Sequence, residues 1–216
     1  SAMTKELQCA LACADIADRI AMRFWRSPLR IKTKSSWRDL VTDADLAVDR
    51  KLREHITRTF PDHGIISEEQ ELDSSVWGKK FVWIIDPIDG TSNFTMGSPL
   101  FGTSIGLLRN GKPFVGMLTF PALQERYWAE RKKGAWMQNI KGKKLRCRVS
   151  NIATLRESRF SFGYGNTPNE QKVYFRHMPR LLRIAQAGRD HHSAIFDLAT
   201  VARGGMDFYI CIGLYL

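Results

Sequence analysis

The chain has 216 residues, 33 Lys and Arg against 22 Asp and Glu, a formal charge of +11, and 44% hydrophobic residues. This length fits one large domain or two small ones, and the composition excludes a disordered or fibrous chain. No apolar run approaches the roughly 20 residues that span a bilayer, and Asp15 and Asp18 break the Ala/Leu-rich N-terminal stretch, which excludes a signal-peptide core there.

Leu7, Leu11, Ala14, Ala17, Ile20, Ala21 and Phe24 recur at helical spacing, which predicts an amphipathic helix over 4–25 that ends at Ser27-Pro28. Four cysteines (Cys9, Cys13, Cys147 and Cys211) form no CxxC pair. That pattern argues against a disulfide framework or structural zinc and for a reducing cytoplasm. Cys9 and Cys13, four apart on one helix face, read as packing. A basic loop, Arg30 to Arg38, comes next. Val48, Leu52, Ile56 and Phe60 predict a second helix over 43–60, opened by Thr42 and stopped by Pro61 and Gly64. Ile65-Ile66 reads as a short buried strand ending at Ser67-Glu68-Glu69.

Phe81–Ile85 reads as a strand buried on both faces, running into Asp86-Pro87-Ile88-Asp89-Gly90-Thr91. Segments 103–108 and 113–120 form a hairpin through Asn110-Gly111. Between Arg126 and Arg148 there are nine basic residues and one acid, Glu130. This stretch reads as a solvated β-hairpin with basic turns. Interleaved with Trp128 and Trp136, it also admits nucleic-acid binding. A strand at 158–162, helices at 169–186 and 193–203, the latter closed by Gly204-Gly205, and a strand at 207–212 complete the chain. The boundary falls near Ser150. It separates an N-terminal α+β half (1–150), which carries the acidic site, from a C-terminal α/β half (151–216).

Two strands end in acids: Ile65-Ile66 before Glu68, and Phe81–Ile85 before Asp86 and Asp89. Converging carboxylates repel and raise one another's pKa, a cost that a divalent cation removes. Oxygen ligands without His or Cys select a hard ion, Mg²⁺ before zinc. Gly90 and Thr91 add backbone N–H groups and a hydroxyl suited to phosphate oxygens. Metal and anion binder together imply phosphoryl chemistry. Asp-Pro-x-Asp-Gly is equally the composition of an ordinary turn.

The longer stretch Trp83–Phe94 resembles the signature of the inositol monophosphatase family of Mg²⁺-dependent, lithium-sensitive phosphatases. Asp39–Asp45, Phe60–Glu69, Gly102–Phe120 and Arg131–Met137 agree with it in order and spacing. The resemblance implies a layered α/β sandwich whose two halves enclose the site, and a cytoplasmic homodimer. It implies metal ligands at Glu68, Asp86, the Ile88 carbonyl and Asp89, and phosphate held at Gly90 and Thr91. Asp45 and Thr91 would orient the attacking water, although Thr42-x-x-Asp45 is also a capping-box start to the second helix.

His192-Ser193-Ala194 occupies the place of a small-residue stretch lining the substrate pocket, and Cys211 the place of a Glu that hydrogen-bonds substrate. A thiol is a weak hydrogen-bonding group, so this departure bears on the substrate. The implied reaction is hydrolysis of a small phosphomonoester by in-line attack of water. Inositol monophosphate is the first substrate and histidinol phosphate the second; nucleotide 3′-phosphates and sugar bisphosphates rank lower. A reading of another class is a nucleic-acid-associated regulatory protein that uses the 126–148 patch. The sequence stops at Cys211–Leu216 in an apolar segment where relatives continue with Trp-Asp, so a longer protein is expected.

Overall fold

The computed structural model describes residues 3–33, 40–163, 165 and 167–213. Asp39 of the first family segment, most of the basic loop, and Leu214, Tyr215 and Leu216 lie outside the described residues. In chain order the elements are α1 (Lys5–Phe24), β1 (Ile31–Thr33), β2 (Leu40–Thr42), α2 (Asp43–Thr59), β3 (Gly64–Ser67) and β4 (Phe81–Asp89). Next come α3 (Thr91–Thr95), β5 (Gly102–Arg109), β6 (Lys112–Phe120), β7 (Glu125–Glu130), β8 (Gly134–Gln138) and β9 (Lys144–Arg146). The chain continues with β10 (Arg159–Gly163), α4 (Pro168–Ile184), β11 (Ala187–Arg189), α5 (Ala194–Ala202) and β12 (Phe208–Cys211).

These elements stack as alternating layers. α1 and α2 pack together over a seven-stranded sheet of order β3-β4-β5-β6-β7-β8-β9, with α1 against β5 and β6 and α2 against β4. The inner face of α1 is built from small side chains: Cys9, Ala10, Cys13, Ala14 and Ala17 meet Val48, Leu52 and Ile56 of α2. Small residues let the helices approach closely, and the larger Trp83, Ile85, Ile105 and Met117 of the sheet fill the space beneath them. Asp18 ties α1 to the sheet by accepting hydrogen bonds from Thr119 Oγ1 (2.7 Å) and Arg126.

Beyond this sheet, Ile195 and Ala199 of α5 pack on Phe120, Tyr127 and Met137. A three-stranded parallel sheet, β11-β10-β12, lies on the far side of α5. Its strands alternate with period two. Phe160, Phe162, Phe208 and Ile210 pack with Met178, Tyr174 and Leu181 of α4. Ser161, one position out of step, faces Asp197 of α5 instead, and its hydroxyl is buried with no hydrogen-bond partner.

The periodic helices form close to where their spacing places them. The structure corrects the Asp-Pro segment: it is neither a turn nor the end of its strand. β4 continues through Asp89, with an irregularity against β5 between Asp86 and Asp89. Pro87 has no N–H for the ladder, and Thr103 Oγ1 holds its carbonyl at 2.7 Å. β4 is also not buried on both faces throughout, because Phe81 and Ile84 are half-buried. The basic stretch forms the last three strands of the large sheet. Arg126 pairs with Asp15 and Asp18, and Lys133 with Glu130. Lys144 lies 4.5 Å over the Trp136 ring. A basic loop was expected from Arg30; Ile31–Thr33 instead pairs antiparallel with β2.

Candidate active site

β4, an interior strand between β3 and β5, carries the site at its C-terminal end. Asp86 and Asp89 sit either side of the strand irregularity, and Glu68 follows the parallel neighbour β3, its backbone N–H donating to Ile85 O at 3.1 Å. Asp86 Oδ1 is buried with no hydrogen-bond partner. Burial pushes the Asp86 carboxyl well above the usual carboxylate range; after burial, the strongest influences are the carboxylates of Glu68, Asp89 and Asp45, all acting in the same direction. Asp89 is pushed up to about 6, again by burial first. Hydrogen bonds from Ser193 Oγ and from the Ile195 and Ala194 N–H groups oppose that rise.

Gly90 adopts φ +80, and a Cβ there would lie 2.8 Å from Leu100 O and 3.3 Å from His192 O. Only glycine fits both the left-handed backbone and this close approach. Beyond it α3 begins at Thr91, whose hydroxyl donates to Ile88 O at 2.9 Å and reaches Asp45 Oδ1 at 3.4 Å. Asp45 is fixed from its own side: its Oδ2 accepts from the Thr42 N–H (2.8 Å) and hydroxyl, while Thr42 Oγ1 accepts from the Ala44 and Asp45 N–H groups. The capping box and the contact to Thr91 use different oxygens of one carboxylate.

The second half of the chain reaches the same place through the loop before α5. Ser193 is the N-cap of α5, accepting from Phe196 N at 3.3 Å while donating to Asp89. The backbone of His192, at φ +52, faces Gly90. Its imidazole turns to the Asp190 carboxylate at 3.7 Å and is half exposed. Cys211 stands opposite Gly163 of β10. Tyr209, two residues earlier and on the same strand face, places its hydroxyl beside the same Gly163 as the Cys211 sulfur, and burial, Cys211, Asp197 and Asp89 all push its phenol up.

Three groups with no assigned role in the sequence reading help build this region. The Asn93 amide donates to Leu100 O (2.7 Å), His191 O (2.7 Å) and His192 O (3.3 Å). His191 Nδ1 meets Asp197 Oδ1 at 2.5 Å. Tyr209 is the third. Asn93 lies inside the quoted signature, so a signal existed for it; His191, Asp197 and Tyr209 had no local pattern to mark them.

A cluster of acids around a buried, unpartnered carboxylate oxygen is unfavourable by itself. Its donors, all oxygen, fit a hard divalent cation. The site lies where residues of the two sheets meet, Asp89 of β4 against Ser193 before α5.

Comparison with known proteins gives that description a family. The chain belongs to the inositol monophosphatase family, whose family-wide pattern matches residues 3–215. It is 41% identical over 158 residues to the histidinol-phosphatase of Mycobacterium tuberculosis, covering 73% of this chain and 60% of that protein. It is 35% identical over 186 residues to the inositol-1-monophosphatase of Bacillus subtilis, covering 86% of this chain and 68% of the relative. The structure superposes on the crystal structure of the extragenic suppressor protein SuhB of Bartonella henselae with a TM-score of 0.86 and 27% identity, over 96% of this chain and 78% of that one. The chain therefore spans about three fifths to two thirds of the length of these two curated relatives.

Proposed function

We propose that this chain carries the active site of a Mg²⁺-dependent phosphatase acting on a small phosphomonoester. The observation that carries the reading is Asp86 Oδ1, buried without a hydrogen-bond partner and surrounded by Glu68, Asp89 and Asp45. Glu68, Asp86, the Ile88 carbonyl and Asp89 would hold Mg²⁺. When bound, that ion lowers the pKa of water and neutralises charge developing on the phosphoryl group.

The chain's own residues supply the rest. The N–H groups of Gly90 and Thr91 bind phosphate oxygens. The Thr91 hydroxyl accepts a hydrogen bond from the attacking water and turns its one proton from Ile88 O, 2.9 Å away, to Asp45 Oδ1 at 3.4 Å. Asp45 is held in one orientation by the Thr42 cap, so it serves as proton acceptor without moving. Ser193 and the N–H groups of Ala194 and Ile195 fix Asp89.

Inositol monophosphate is the first substrate. Histidinol phosphate is the second reading, favoured by the 41% identity to the Mycobacterium enzyme. The protein acts as a cytoplasmic homodimer, with lithium as an inhibitor. Among the described residues no helix is long and apolar enough to cross a membrane. The alternative reading, nucleic-acid binding through the 126–148 patch, is weakened by the engagement of Arg126, Lys133 and Lys144 within the fold.

Phosphate release measured across inositol monophosphate, histidinol phosphate, a nucleotide 3′-phosphate and a sugar bisphosphate tests the proposal. Mg²⁺-dependent release from at least one supports it, and Cys211→Glu raises turnover of inositol phosphate. No release from any, together with steeply salt-dependent RNA binding lost on charge reversal at Lys143 and Lys144, overturns it.

A further inference from the structure

The two-helix layer holds a second group of metal-ligating side chains, unrelated to the acidic cluster. Cys9 and Cys13 lie one turn apart on α1, and His55 meets them from the last turns of α2. One donor atom from each of the three lies within 4.8 Å of the other two. Both thiols are buried, at 4% and 0% exposure, whereas His55 is half-buried and opens the group to solvent. Cys13 beside it holds the Cys9 thiol below its usual range, against the effect of burial. Packing explains two small side chains in an alanine-lined helix contact. It does not explain an imidazole on the facing helix with a donor atom at the same point.

We propose that Cys9, Cys13 and His55 form a binding site for a thiophilic divalent cation of the Zn²⁺ type. A tetrahedral ion with bonds of about 2.3 Å to sulfur and about 2.0 Å to nitrogen places its ligand atoms roughly 3.5–3.8 Å apart. The three donors therefore have to close by about 1 Å, a movement that side-chain torsions supply. Three protein ligands leave a fourth position for water.

The site is chemically separate from the acidic cluster, because thiolate and imidazole select a softer ion than carboxylates do. It is also distant from it, since His55 follows Asp45 by ten residues, about 15 Å along α2. Arg58 opposes binding: its Nη2 lies 3.3 Å from His55 Nδ1 and brings a positive charge to the imidazole.

The test is a Co²⁺ titration of the full chain with Mg²⁺ present, read by the near-ultraviolet thiolate-to-cobalt charge-transfer band. Oxygen ligands in the acidic cluster cannot produce this band. The band is expected to rise to saturation and to disappear on addition of Zn²⁺. It is lost in Cys9→Ala. His55→Gln, a half-exposed position chosen to preserve the fold, weakens Co²⁺ affinity by about tenfold or more, and Arg58→Ala strengthens it. The proposal fails if no band forms with Co²⁺ in excess. It fails equally if the band survives Cys9→Ala, which would assign it to another thiol, or if affinity ignores His55→Gln.

Discussion

Two helices of this protein start with the same device and use it differently. α2 opens with Thr42 and Asp45, α4 with Thr167 and Glu170, and in both the threonine hydroxyl caps the third residue's N–H while that residue's carboxylate accepts the threonine N–H. The returning bonds are 2.8 and 2.9 Å, and both acids are buried. Over α2, the oxygen not used by the box meets Thr91, and its charge acts on Asp86. Over α4, Glu170 packs beneath glycines, where a Cβ on Gly165 or Gly213 would come within 2.5 and 2.3 Å of it. A capping carboxylate is held by one oxygen, and what lies over the helix start decides what the other meets.

The comparison breaks most sharply at the acidic cluster, to which only the α2 box connects. Chelation with EDTA is expected to reduce phosphate release by at least ~10³-fold, since several kcal/mol of charge stabilisation is lost at ~1.4 kcal/mol per decade. Thermal melting should change little for α4. Full turnover in EDTA would remove the metal from the mechanism.

Neutralising the two capping acids separates their roles. Asp45→Asn is expected to cost ~10²–10⁴-fold in turnover as a proton acceptor. Glu170→Gln keeps turnover within a few-fold of wild type. Steady-state kinetics beside denaturant unfolding gives both quantities, and equal turnover losses would show that Asp45 acts only as a cap.

The smallest effect comes from the threonines. Thr42→Ala and Thr167→Ala should each destabilise the fold by about 1 kcal/mol. Only Thr42→Ala should also lower kcat, because it frees Asp45 to reorient. A shift in unfolding midpoint without any difference in kcat between them would dissolve the distinction.

Much of this architecture is legible from spacing alone. α1 and α2 announce themselves by apolar residues every three or four positions, and Asn110-Gly111 marks the turn between β5 and β6. Part of the site is legible for a similar reason: Asp86, Asp89, Gly90 and Thr91 fall within one six-residue stretch of chain. The approach of Asp45 to Thr91 comes from family resemblance, not from spacing. Other features leave no local trace. β1, β2 and β11 are three residues long, and α3 is too short to show a period. Pro87 reads as a turn because its sheet context, the irregular pairing with β5, is set by another strand. His191 finds Asp197 only because α5 folds back against the loop before it. The imidazole beside Cys9 and Cys13 comes from a different helix, so the two cysteines read as packing until α2 is placed.

The Asn93 amide reaches carbonyls 98 and 99 positions further along the chain, and Asp89 reaches Ser193 across 104. During synthesis the catalytic signature leaves the ribosome long before its supports do. At about 5–20 residues per second, roughly 5–20 s separate translation of the acidic segment from that of the serine that steadies it. Through that interval a nascent chain carries the converging carboxylates without the Ser193 loop that hydrogen-bonds Asp89. The order of synthesis therefore separates the acidic segment from the second sheet that later steadies it.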